Sequence, residues 1–154
     1  MRNWRSLLSL TFCILLSGCL VAQEQNEHTL INIKDNIQVD VKNVSTKSHS
    51  DTLSVELFLI SYQMDPREFK LNTYATQVID SAGNNHLFAN IQMGRVQVRL
   101  TDRQNYIHYL LEEDVPIPLT IEVGNWKGKK ASKVLLVFED STEEGKFITQ
   151  EVGL

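Results

Sequence analysis

Residues 52–62 read TLSVELFLISY, with Leu53, Val55, Leu57 and Leu59 on one side of the alternation and Thr52, Ser54 and Glu56 on the other. Successive side chains of a strand point to opposite faces, so this period of two predicts a strand with one dry and one wet side. The same period recurs along the chain. IQVDVK (37–42) sets Ile37, Val39 and Val41 against Gln38, Asp40 and Lys42, and RVQVRL (95–100) sets Val96, Val98 and Leu100 against Arg95, Gln97 and Arg99. PIPLTIEV (116–123) sets Ile117, Leu119, Ile121 and Val123 against Pro118, Thr120 and Glu122. Ile31 and Ile33 share the odd phase, so LINIKDNIQVDVK (30–42) reads as one long strand kinked at Asp35-Asn36.

KVLLVF (133–138) departs from the alternation. Val134 to Phe138 is apolar at every position, as in a central strand covered on both faces. DSAGNN (80–85) supplies Gly and Asn for positive φ, so QVID (77–80) and HLFANI (86–91) should form a hairpin around it. GNWKGKK (124–130) and DSTEEGK (140–146) read as two further connections. One short helix is expected at DPREFKL (65–71), where Asp65 would cap and Pro66 would take the first helical position. About eight or nine short strands, with turns every eight to twelve residues or so, point to an all-β, antiparallel two-sheet sandwich.

IDSAGNNH (79–86), EDVPIPLTIEV (113–123), SKVLLVF (132–138) and KFITQEVGL (146–154) together resemble the immunoglobulin-like domains found in bacterial envelope proteins. The resemblance covers roughly residues 52–154 and implies the fold. It carries over no catalytic residue, and the buried Cys–Trp–Cys arrangement of antibody domains is missing.

The chain opens MRNWRSLLSLTFCILLSGCLVAQ. Arg2 and Arg5 precede an apolar run from Leu7 to Leu16, which is the layout of a secretory leader. The run is shorter than the roughly 20 apolar residues that a membrane-crossing helix needs. Leu16-Ser17-Gly18-Cys19 resembles the lipobox of bacterial lipoprotein precursors. That resemblance implies cleavage before Cys19, acylation of its sulfur and new amine, and attachment to a membrane of the cell envelope. Leu20 in place of an aspartate after the cysteine implies the outer membrane if the organism has two. A leader cut nearby, or an uncleaved anchor, is the alternative. On this reading residues 1–18 are a signal peptide, 19–29 are the lipidated cysteine and a tether, and 30–154 are the sandwich domain.

Removing the leader leaves 136 of 154 residues, enough for one domain that buries about two-thirds of its unfolded surface without a metal or disulfide staple. Cys13 leaves with the leader and Cys19 is taken by lipid, so the body has no thiol. The leader also holds two of the fifteen basic residues and none of the nineteen acidic ones, which moves the net charge from −4 to −6. That balance argues against a nucleic-acid partner.

Chemistry is hard to find. His28, His49, His86 and His108 lack metal-ligand spacing, and no nucleophile motif or Gly-rich phosphate loop occurs. No cofactor, metal or catalytic residue is therefore implied. Glu112, Glu113 and Asp114 form one acidic group, and Glu139, Asp140, Glu143 and Glu144 another, without the alternating ligands of a calcium loop. Arg95, Gln97 and Arg99, with Arg103 beyond them, read as a charged edge strand guarded against aggregation.

The candidate recognition site is the loop at 124–133, where Trp126 sits among Lys127, Lys129, Lys130 and Lys133, the first three taken as its binding lysines. If it binds a partner, Trp126 should be exposed and the partner anionic. If it does not, the ring caps the end of the sandwich. The expected function is a lipid-anchored, non-catalytic binding or assembly module that meets an envelope protein or glycan. Aromatics Tyr62, Tyr74, Tyr106 and Trp126 gathered round a cleft would favour the glycan reading. An apolar strip on a sheet or edge would favour the assembly reading.

Overall fold

A computed structural model describes residues 33–47 and 49–154. The leader, Cys19, His28 and the tether lie outside the described residues. Twelve strands run in chain order: β1 (Ile33–Lys34), β2 (Ile37–Lys47), β3 (Thr52–Ser61), β4 (Arg67–Asn72), β5 (Gln77–Asp80), β6 (Asn85–His86), β7 (Asn90–Met93), β8 (Val96–Arg99), β9 (Tyr106–Leu111), β10 (Ile117–Val123), β11 (Ala131–Glu139) and β12 (Phe147–Gly153). They exceed the expected eight or nine; β1 and β6 are two-residue pieces, which leaves ten longer strands among the described residues.

One sheet has the order β1-β2-β3-β10-β7-β8, the other β6-β5-β11-β4-β9 with β12 also on β11, and every strand pairing is antiparallel. The inner faces of the two sheets share one hydrophobic core, so the chain is a β-sandwich. Setting aside β1, β6, β8 and β9, the order is β2-β3-β10-β7 over β4/β5-β11-β12. That is the A-B-E-D over C-F-G order of constant-type immunoglobulin domains.

The alternation places the core as the sequence predicts. Leu53, Val55, Leu57 and Leu59 of β3 and Leu119, Ile121 and Val123 of β10 are buried, and in register Leu119 faces Leu57 and Ile121 faces Val55. β11 is central. Val134, Leu136 and Phe138 face the core while Val137 is buried on the opposite face. β4 and β5 both pair with β11, at Leu71–Phe138 and from Gln77 to Asp80, with a detour at 73–76 between them. Thr76 bridges that detour, its hydroxyl oxygen accepting the Val137 N–H at 3.1 Å.

Five expectations are corrected. Asp35 and Asn36, at φ 50° and 57°, do not kink a long strand but reverse it, as a two-residue hairpin turn between β1 and β2. Residues 67–72 are strand β4, not helix. Phe69 and Leu71 point inward with Arg67, whose guanidinium is buried against Asp35 at 2.8 Å. Only Asn85 and His86 of the expected second hairpin arm pair with β5, because Asn90–Met93 crosses to the other sheet as β7. Leu100 opens an exposed 3₁₀ turn at Leu100–Asp102 instead of ending β8 in the core. Val41 keeps its inward phase but is left exposed at the sheet edge.

The two ends of the sandwich differ. One end gathers the β2–β3 turn, the residue 81–84 turn and the loop 124–130. The other gathers the Asp35-Asn36 turn, residues 62–66, 112–116 and 140–146. No helix among the described residues is long and apolar enough to cross a membrane.

Candidate functional site

Loop 124–130 joins β10 to β11, and its geometry overturns the expectation of an exposed Trp126. The ring is 1% exposed and is the largest fully buried side chain among the described residues. Its indole Nε1–H donates to the Lys129 carbonyl at 2.5 Å, and the His86 ring packs edge-on at 4.9 Å. Tryptophan loses a large apolar surface to water if exposed, and here the end of the core receives it. The ring is a structural nail.

Around that nail the backbone is pinned. Asp51, at φ 49° in the β2–β3 turn, receives the Trp126 N–H on its carbonyl at 2.9 Å and the Lys127 N–H on its carboxylate at 2.5 Å. Asn125, Lys127 and Gly128 take φ of 53°, 48° and 68°. A lysine there is strained, by about 1 kcal/mol, and the Asp51 carboxylate holds it in place. Ser81 N–H donates to the Lys130 carbonyl at 2.9 Å, tying in the neighbouring turn. That turn is ordered by buried Asp80, which accepts from the Ala82 and Asn84 N–H groups and pairs with His86 at 2.9 Å. His86 first, then Asn84, hold the Asp80 carboxyl far below the usual carboxylate range.

The result is a rigid platform from which Lys127, Lys129 and Lys130 project, all exposed. Among the described residues none of the three ammoniums has an ion-pair partner, and Lys129 Nζ lies 5.8 Å from the Trp126 ring centroid. Neighbouring lysines differ: Lys47 is paired with Glu122 at 2.7 Å and Lys133 with Glu151 at 2.7 Å.

A second surface is the edge of β2, which the residue pattern did not single out. Among the described residues β1 covers only Ile37 and Gln38, and every residue from Val41 to Lys47 is exposed. A bulge at Lys42 shifts the register between Val41 and Asn43, so Val41 and Val44 face the same way, opposite Leu57 and Val55. They are 41% and 38% exposed, an apolar step on the flank of the sandwich. Lys42 turns to the other face, 3.4 Å from Glu56.

Several of the remaining polar groups are occupied structurally, and the others are exposed. His108 sits on Glu68 at 2.5 Å, while His49 is exposed in a turn. Glu139 is taken by Lys70 at 3.0 Å, which holds its carboxyl below the ordinary range, and Asp140 accepts from Thr142 and lies 3.6 Å from Lys146. Glu112, Glu113 and Asp114 are exposed in a turn. No group of three His, Cys, Asp or Glu side chains able to hold a metal occurs among the described residues. Arg95, Gln97, Arg99 and Arg103 are exposed along and beyond β8, at the far edge of its sheet.

The four aromatics lie apart: Tyr62 bonds Gln38, Tyr74 packs on Phe88, Tyr106 stacks on Phe147 over Lys70, and Trp126 is buried beside His86. No protein-family model, curated protein or solved structure matches the chain.

Proposed function

We propose that this chain is a lipid-anchored, non-catalytic binding or assembly module of the bacterial cell envelope, tethered through Cys19. Its docking surface is the open β2 edge, and its partner contributes an extended segment that lengthens the sheet. The observation that carries this reading is the run Val41–Lys47, exposed and unpaired on its outer side among the described residues, with Val41 and Val44 at its apolar step. An unpaired edge supplies main-chain hydrogen bonds to an added strand, and the apolar positions supply side-chain selection. The bulge at Lys42 and the lysines at 42 and 47 discourage indiscriminate pairing, so a partner has to match them. Tyr62, Tyr74, Tyr106 and Trp126 each pack on separate neighbours, which favours the assembly reading over the glycan one.

A photo-crosslinking side chain placed at Asn43 in intact cells should yield a discrete heavy adduct, whereas the same group at Gln97, on the opposite edge, should not. Val44→Asp should remove the adduct without lowering the melting temperature by more than a few degrees. Identical adducts from both edges, or an intramolecular product alone, would contradict the assignment.

A further inference from the structure

The lysine loop answers a different question from the β2 edge, namely which end of the molecule meets the membrane. We propose that the sandwich stands on its loop end, with Lys127, Lys129 and Lys130 laid on anionic lipid headgroups. This rests on the reading that Cys19 carries the acyl anchor.

Charge polarity is the first support. The loop end exposes three lysines without an ion-pair partner among the described residues, whereas the opposite end exposes Asp65, Glu112, Glu113, Asp114, Glu143 and Glu144, relieved by Lys146. A body of net charge −6 is repelled by an anionic surface over most of its face; apart from the β8 edge with Arg95, Arg99 and Arg103, the loop end is where exposed cations gather.

Rigidity is the second. The three lysines rise from a backbone nailed by Trp126 and clamped by Asp51, so little conformational freedom is lost when they reach the surface.

Geometry of attachment permits the orientation. β1 runs antiparallel to β2, from the loop end toward the opposite end, so its first residue, Ile33, faces the loop end. Ile33 is level with Gln38, nine positions short of Lys47, a distance of about 30 Å at roughly 3.3 Å per residue. Thirteen residues, fourteen Cα steps, separate Cys19 from Ile33, and extended they reach about 45–50 Å. The tether is long enough to set the loop end on the headgroups with some 15 Å to spare.

An acidic protein would also satisfy the lysines. The anchor decides between the two, because it holds this end within a tether's length of the headgroups at a high effective concentration. Each lysine at such a surface contributes about a fivefold factor, so three contribute on the order of a hundredfold, fading with salt as the Debye length shrinks.

The test uses the full lipoprotein, purified in detergent and reconstituted into vesicles of phosphatidylcholine alone or mixed with phosphatidylglycerol. The body has no cysteine beyond Cys19, so Ser50→Cys at the loop end and Met64→Cys at the other end, where the side chain is 82% exposed, each take one fluorophore. Headgroup spin-labelled lipid should quench the Ser50 probe several-fold more than the Met64 probe, only with phosphatidylglycerol and at low salt. The triple variant Lys127→Glu, Lys129→Glu, Lys130→Glu should abolish the difference at an unchanged melting temperature. Equal quenching at both ends, or quenching indifferent to phosphatidylglycerol or to the triple variant, overturns the proposal even if an acidic protein is captured by the loop. A purified protein whose mass shows no acyl chains, and which fails to float with neutral vesicles, overturns the anchoring itself and this proposal with it.

Discussion

Replacing Trp126 with alanine separates a packed ring from a recognition anchor. The side chain is 1% exposed, donates its indole N–H to the Lys129 carbonyl and meets the His86 ring edge. Removing a buried tryptophan costs about 3–5 kcal/mol in transfer and cavity terms. The orphaned carbonyl adds about 1 kcal/mol, so about 4–6 kcal/mol is lost. For a domain of this size each kcal/mol is worth roughly 3–6 °C, and the melting temperature should fall by about 12–36 °C. By contrast Lys127→Ala and Lys130→Ala should each stay within about 0.5 kcal/mol of wild type. Thermal unfolding followed by circular dichroism measures all three. The chain's other tryptophan is Trp4, so native fluorescence of a Trp4→Phe variant reports this one ring and should be blue-shifted. A Trp126→Ala protein melting within about 2 °C of wild type, or a red-shifted native spectrum, would refute the packing argument.

Leu57→Asp, which buries an unpaired charge in β3, should unfold the domain. Glu56→Ala, its outward neighbour with only a surface pairing to Lys42, should cost less than about 1 kcal/mol; similar melting temperatures would mean that the β3 register is wrong. Arg67→Ala strands the nearly buried Asp35, which also accepts from Ser141 N–H and hydroxyl, and should cost about 3–5 kcal/mol in denaturant titrations. Asp80 has a folded pKa below its unfolded value of about 3.9. Its stabilising contribution is therefore complete above about pH 4 and is lost as pH falls below that, and Asp80→Asn should flatten the acid limb of the stability profile.

The long strands were legible because burial of one face writes itself into the residue order, as in β3 and β10. The Asp80 turn was legible through its Gly and Asn. β4 was not, because one of its three inward positions is Arg67, which enters the core only by pairing with Asp35, 32 residues away. With that position read as polar, DPREFKL resembles a capped helix start. The Asp35-Asn36 reversal was missed for a related reason: alternation survives a two-residue turn, so phase alone cannot distinguish a kink from a hairpin. Trp126 was misread because its neighbours are lysines, and sequence does not show that one ring can turn inward while the adjacent ammoniums turn out. The β2 edge carries no motif at all, since exposure there follows from which strands are absent beside it.

Everything proposed about location depends on one cysteine. Metabolic labelling with a palmitate analogue, followed by membrane fractionation, compares the wild type with Cys19→Ala and Cys13→Ala. Stable anchoring takes more than one acyl chain, so Cys19→Ala should lose both the label and the membrane fraction, while Cys13→Ala retains both. Label persisting in Cys19→Ala would contradict the lipid anchor, and with it the placement of the sandwich at a membrane.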